Sequence, residues 1–181
     1  MTMNRSNGFT LIELMITVAM AAIVLTLGVP SFQEIIRNNR LATQTNAFVG
    51  ALSLARSEAV KRGVRVTVCK SADGAACIAS GGYEQGWIVF TDPDNDAIVD
   101  AGETIIRVSE TTASTGITLT GTTGNVADYV SYTADGITRL ASGTPSGAFQ
   151  AGTLTVCKAP KARQIVINKT GRIRTTETTC P

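Results

Sequence analysis

The sequence predicts an α+β protein, a long N-terminal helix leading into a β-rich head, and three observations carry that prediction. After Glu13 the next charged residue is Glu34, so positions 14–33 form 20 consecutive uncharged residues. From Gly63 onward the pattern changes to short runs of β-branched and apolar residues separated by clusters of Gly, Asp, Asn and Ser, as antiparallel strands and their turns require. All four cysteines, Cys69, Cys77, Cys157 and Cys180, fall in that second region. At 181 residues the chain has room for one compact domain and one additional long element.

Composition removes several function classes. With no histidine, Ser-His-Asp and Cys-His catalysis and imidazole-containing zinc sites are excluded within the chain. Neither the P-loop pattern nor the G-x-G-x-x-G pattern occurs, so the usual backbone cradles for nucleotide phosphates are missing. The acids lie mostly in one loop with no base partner, and no enzyme is expected.

The first element begins after a short polar leader, residues 1–8, which carries one positive charge. At about 1.5 Å per residue, the uncharged stretch that follows reaches about 30 Å, the thickness of a bilayer's hydrocarbon core. An ordinary secretory signal places its small-residue cleavage site after the apolar run. Here the small residue, Gly8, precedes it, so cleavage leaves the anchor attached. The alternative is an ordinary signal anchor in which Glu13 is incidental.

The stretch Gly8-Phe9-Thr10-Leu11-Ile12-Glu13 resembles the prepilin peptidase site of type IV pilins and type II secretion pseudopilins. The resemblance implies cleavage between Gly8 and Phe9, methylation of the new Phe9 amine, and a single-pass inner-membrane intermediate with a periplasmic head. It also implies later incorporation into an extracellular filament, with other major and minor pilins as partners. Pro30 falls where such pilins carry a helix-loosening proline. A carboxylate in lipid is expensive unless partnered, so Glu13 is expected to meet a neighbouring subunit's N-terminal ammonium and set filament register.

The helix continues past Pro30. Phe32, Ile35 and Ile36, then Phe48, Ala51, Leu52, Ala55 and Ala59, recur at three- and four-residue steps and predict one core-facing stripe. Lys61, Arg62 and Gly63 form a C-terminal stop, since cations suit the end of a helix dipole and glycine tolerates a left-handed cap. The expected divisions are a leader over 1–8, a transmembrane or filament-core helix over 9–32, an amphipathic second half over 33–62, and a head over 63–181.

In the head, strands are predicted at 64–69, 86–91, 104–110, 117–120, 129–132, 137–140, 153–157, 164–168 and 172–175. The stretches Leu54-Ala55-Arg56-Ser57-Glu58-Ala59 and Gly86-Trp87-Ile88-Val89-Phe90-Thr91-Asp92 resemble the GspH/FimT family of minor pilins and pseudopilins. That likeness implies the type IV pilin fold, a long helix packed beside two antiparallel β-sheets. Four cysteines fit an extracytoplasmic head that gains stability from crosslinks. Of three possible pairings, Cys69–Cys77 with Cys157–Cys180 closes the shortest loops. A four-thiolate zinc site is the alternative, and no C-x-x-C pair supports it.

Two further motifs are candidates for chemistry. Asp92, Asp94, Asp96, Asp100 and Glu103 stand at positions 1, 3, 5, 9 and 12 of a calcium-loop spacing. Ala97 takes the place of the usual glycine and the flanks read as strands, so the choice is between a calcium loop and an acidic hairpin connection. No other cofactor is expected.

The second motif is Lys169-Thr170-Gly171-Arg172-Ile173-Arg174, a tight turn entering a last strand. Strand alternation puts Arg172 and Arg174 on one face with their stems about 7 Å apart. Residues 63–156 carry four basic and ten acidic side chains, a net −6, whereas residues 157–181 carry six basic and one acidic, a net +5. Lys158, Lys161, Arg163 and Lys169 are expected to widen the arginine pair into one positive surface. Such a patch on an acidic body is the footprint of polyanion binding, with double-stranded DNA the natural candidate. Gly171-Arg172-Ile173-Arg174 also resembles the GRxR motif of FimT-type minor pilins, which implies uptake of extracellular DNA in natural transformation. Two alternatives stay open: a charged edge strand that resists edge-to-edge pairing, and a structural subunit that primes a pilus or a type II secretion pseudopilus.

Overall fold

Thr10 and Glu13 decide where the helix begins. The Thr10 hydroxyl accepts from the Glu13 amide at 3.3 Å, and the Glu13 carboxylate accepts from the Thr10 amide at 3.0 Å, a reciprocal capping box. From there α1 runs Leu11–Arg62, 52 residues with Pro30 inside it. It stops at Gly63, whose φ of 68° is left-handed and whose amide reaches the Ala59 carbonyl at 3.0 Å. The computed structural model describes residues 9–141 and 147–181. The leader over 1–8, with Gly8, lies outside the described residues.

The chain forms two compact units that divide between Asn39 and Arg40. In the first, α1 exposes its large apolar side chains, and it is the one helix among the described residues long and apolar enough to cross a membrane. In the second, Leu41, Thr45, Phe48, Ala51, Leu52, Ala55 and Ala59 form a buried stripe at helical spacing. Phe32, Ile35 and Ile36, expected on that stripe, are exposed; their apolar surface continues the membrane-type run. The buried Thr45 hydroxyl is satisfied by the Leu41 carbonyl at 2.7 Å.

Among the described residues eight strands follow: β1 Val66–Lys70, β2 Trp87–Thr91, β3 Ile105–Ser109, β4 Thr118–Gly124, β5 Tyr129–Tyr132, β6 Gly152–Lys158, β7 Lys161–Ile167 and β8 Ile173–Thr179. They make two four-stranded antiparallel sheets, ordered β3-β2-β1-β5 and β4-β6-β7-β8. Alternation along β2 sorts its side chains. Trp87 and Val89 join the α1 stripe, while Ile88 and Phe90 pack with Cys69 in a second small cluster. The main cluster also takes Val66, Val68 and Val130 from the first sheet and Leu154, Val156, Ile165 and Ile167 from the second. Phe48 sits at its centre, edge-on to the Tyr83 ring at 4.9 Å and the Trp87 ring at 5.8 Å.

The strand expected at 137–140 is absent, and the buried Gln150 explains why. Its side-chain oxygen accepts from the Ser131 amide at 2.9 Å, and its amide nitrogen donates to the Asn125 carbonyl at 2.7 Å and the Tyr129 carbonyl at 2.8 Å. A side chain thus occupies the groups on which a further strand would pair. Only the isolated bridges Tyr132 to Thr138 and Arg139 to Phe149 form there. Both disulfides are present: Cys69–Cys77 lies against the smaller cluster, and Cys157–Cys180 joins β6 to the residue after β8.

Candidate nucleic-acid interface

The Lys169–Arg174 segment is shaped by Asn168 and Gly171. The Asn168 side-chain oxygen accepts from the Thr170 amide at 3.1 Å, the Thr170 hydroxyl at 2.7 Å and the Arg172 amide at 2.9 Å, which winds the turn between β7 and β8. Gly171 has a φ of +72°, and a Cβ there would lie 2.5 Å from the Gly136 carbonyl oxygen and 3.0 Å from the Tyr132 ring. Glycine is therefore required twice, for its backbone region and for the closeness of its neighbours. The turn leads into Ile173, which packs on the main core, while Lys169, Arg172 and Arg174 are exposed. Among the described residues, no carboxylate pairs with Arg172 or Arg174.

A second element braces this turn. Arg56, on α1, donates from Nη1 to the Gly171 carbonyl at 3.4 Å and from Nη2 to the Thr170 carbonyl at 3.3 Å. Helix and turn enclose an open groove of about 650 Å³, lined by Val49, Ser53, Arg56, Ser57, Val60 and Lys61 on the helix side and by Gly171, Arg172 and Ile173 on the turn side. Its floor is apolar, and among the described residues the charged groups that line it are all cationic. Reading the sequence alone does not reach Arg56 and Lys61. The available signal was the helical spacing that puts Arg56 beside the buried Leu52, Ala55 and Ala59.

The other expected cations are elsewhere. Register along β7 and β8 runs from Lys161 opposite Thr179 to Ile167 opposite Ile173. Six residue steps, about 20 Å, therefore separate Lys161 from the arginine turn. Lys158 donates to the Thr115 carbonyl, and Arg163 pairs with Glu177 at 2.8 Å. The Cys157–Cys180 bond closes this same far end. Lys158 and Lys161 thus lie the length of β7 from the Arg172–Arg174 patch, and Arg163 alternates onto the sheet face of Ile165 and Ile167, opposite to that of Arg174, so the three do not widen the patch into one surface.

The acidic loop joins β2 to β3. Asp92, Asp94 and Asp96 bring carboxylate oxygens within 4.8 Å of one another and could hold a divalent cation, whereas Asp100 and Glu103 fall outside that cluster. Asp92 is buried and committed to the protein. It accepts from the Thr67 hydroxyl at 2.7 Å and from the Asp96 and Ala97 amides at 3.1 and 3.3 Å. Burial pushes its carboxyl above the usual range, against the pull of those donors. Ala97 takes the left-handed turn without being glycine, at φ 62°. Glu103 accepts from the Asp100 amide at 3.0 Å, and burial raises its carboxyl as well.

Comparison with known proteins places these features. A family model described as type II transport protein GspH matches residues 44–171, and a prokaryotic N-terminal methylation motif matches residues 3–29. No match is found among curated proteins. The crystal structure of the type IV minor pilin FimU from Pseudomonas aeruginosa strain PAO1 superposes with a TM-score of 0.53 at 18% identity, covering 77% of this chain and 90% of that one. A second crystal form of FimU gives 0.47 at 19% identity, covering 76% and 91%.

Proposed function

We propose, from the premise that this chain belongs to the GspH family of type II transport proteins, that it captures extracellular DNA at its arginine turn. Its fold is the type IV pilin fold, a long N-terminal helix packed on two antiparallel sheets. The coarse role follows from family and motif: it is a minor pilin or pseudopilin, processed by a prepilin peptidase and assembled with other pilins. Its N-terminal motif and apolar helix fit an inner-membrane anchor.

The finer reading takes the head to the periplasm and then to the pilus, in or at whose tip it binds double-stranded DNA for uptake in natural transformation. Cleavage falls between Gly8 and Phe9 with methylation at Phe9, and Glu13 sets register against a neighbouring subunit. The observation that carries DNA binding is the pair Arg172 and Arg174, exposed and unpaired by acids on a turn fixed by Asn168 and Arg56. Guanidinium groups match phosphate oxygens in bidentate geometry, and holding them on a braced turn lowers the entropy lost on binding. Lys169 adds a third charge at the same turn.

Nothing in the turn offers a fixed array for reading base edges, so binding is sequence-independent and salt-sensitive. The test is duplex binding by the full processed chain in detergent across a salt series. Arg172→Gln with Arg174→Gln is expected to lower affinity at least about tenfold near 0.1 M salt and to flatten the log–log salt slope by about 1.8, two phosphate contacts. Full affinity in the double variant overturns the site.

The GspH match favours a second reading, a structural subunit that primes a pilus or type II secretion filament. In that case the chain leaves duplex DNA unbound at every salt concentration, and the double variant supports filament assembly as well as the parent.

A further inference from the structure

Arg56 and Lys61 belong to a helix, and Arg56 is 115 residues upstream of Gly171, yet both line one groove with Arg172. Resting on the DNA-binding reading above, we infer that the duplex backbone runs along α1, over Arg56 and Lys61, rather than across the second sheet toward Lys161.

Three observations set that direction. The charge on Arg56 is not neutralised where it sits, since its two recorded bonds go to the carbonyls of Thr170 and Gly171 and not to a carboxylate. Lys61 is 78% exposed and 3.8 Å from Glu58, whose nearer partner is Arg62 at 2.5 Å, so its ammonium is left facing solvent. With Arg172 across the groove, Arg56 and Lys61 form its cationic lining, and Glu58 is not among the lining residues. The opposite route offers Lys158 already bound to the Thr115 carbonyl and Arg163 already paired with Glu177, with Lys161 about 20 Å along the sheet from the turn. A polyanion gains more by following α1, because Arg56 has carbonyl partners only and the long, exposed contact of Lys61 with Glu58 is weaker than the 2.8 Å pair of Arg163 with Glu177.

The experiment uses the full processed chain in detergent and a duplex of mixed sequence, titrated from about 0.05 to 0.2 M salt. Arg56→Gln and Lys61→Gln are each expected to weaken binding several-fold, up to about eightfold near 0.1 M salt, and to flatten the slope by about 0.9. Lys161→Gln leaves both quantities unchanged. Arg56→Gln also removes two bonds that hold the turn, so Arg56→Lys, which keeps charge but not the fork, is measured beside it and is expected to retain the parent slope.

If Arg172→Gln with Arg174→Gln abolishes binding while Arg56→Gln and Lys61→Gln keep the parent slope, the helix path is overturned and the arginine turn stands. A flattened slope in Lys161→Gln also overturns the path. If the arginine double variant binds as the parent does, the turn itself is wrong and the path falls with it.

Discussion

Gly171 shows how one residue couples backbone shape to the placement of its neighbours. With φ at +72° and the Gly136 carbonyl 2.5 Å from where a Cβ would stand, Gly171→Ala must either strain its own backbone or displace the neighbouring turn. The expected loss is about 1–3 kcal/mol of stability. Thermal unfolding followed by circular dichroism reads it, and DNA affinity falls in parallel because Arg172 moves with the turn. Asp92 makes a prediction of opposite character. Its folded pKa is raised by burial, so its contribution to stability is fully present below the unfolded value, about 3.9, and is lost as pH rises through the folded value. Asp92→Asn removes that titration. Its melting temperature relative to the parent is therefore expected to rise between about pH 4 and pH 7, and a difference that stays flat with pH refutes the assignment.

At the scale of elements, the Cys157–Cys180 bond staples the far end of the second sheet, its cysteines separated by 23 positions in sequence. Replacing both with serine is expected to cost about 3 kcal/mol by the loop-entropy rule. DNA affinity measured below the lowered melting point stays at the parent value, since the arginine turn lies at the other end of β7 and β8. How much of the sheets could be read in advance depends on what holds each strand. The predicted strands that became β1 to β8 carry apolar or β-branched alternation of their own, and their errors are at the ends, as at β7, which begins at Lys161 and not at Gln164. Residues 137–140 carry the same alternation, but a side chain ten or more positions away takes the hydrogen bonds they needed. Periodicity records which face is oily and is silent about who supplies the amide partners.

For the molecule as a whole, the membrane-type helix and the change at Gly63 were legible because each is written in consecutive residues. The groove was not, since Arg56 and Arg172 meet only once the helix stripe has packed on both sheets, and no local pattern encodes that meeting. The same limit explains the misplaced cations. Lys158 and Lys161 are near Arg172 in sequence and are carried away from it by a seven-residue strand, and Arg163 alternates onto the opposite sheet face. Folding thus exchanges one expected set of positive neighbours for another, and draws the second set from α1.

The staple beyond β8 has a mechanical consequence. Under the proposed reading, a polyanion held by Arg172 and Arg174 would tug on the opening residues of that strand, and peeling it away one pair at a time would run toward Thr179. There the unzipping meets a covalent stop to β6, so a hauled load can loosen the ribbon without ever detaching it from the body.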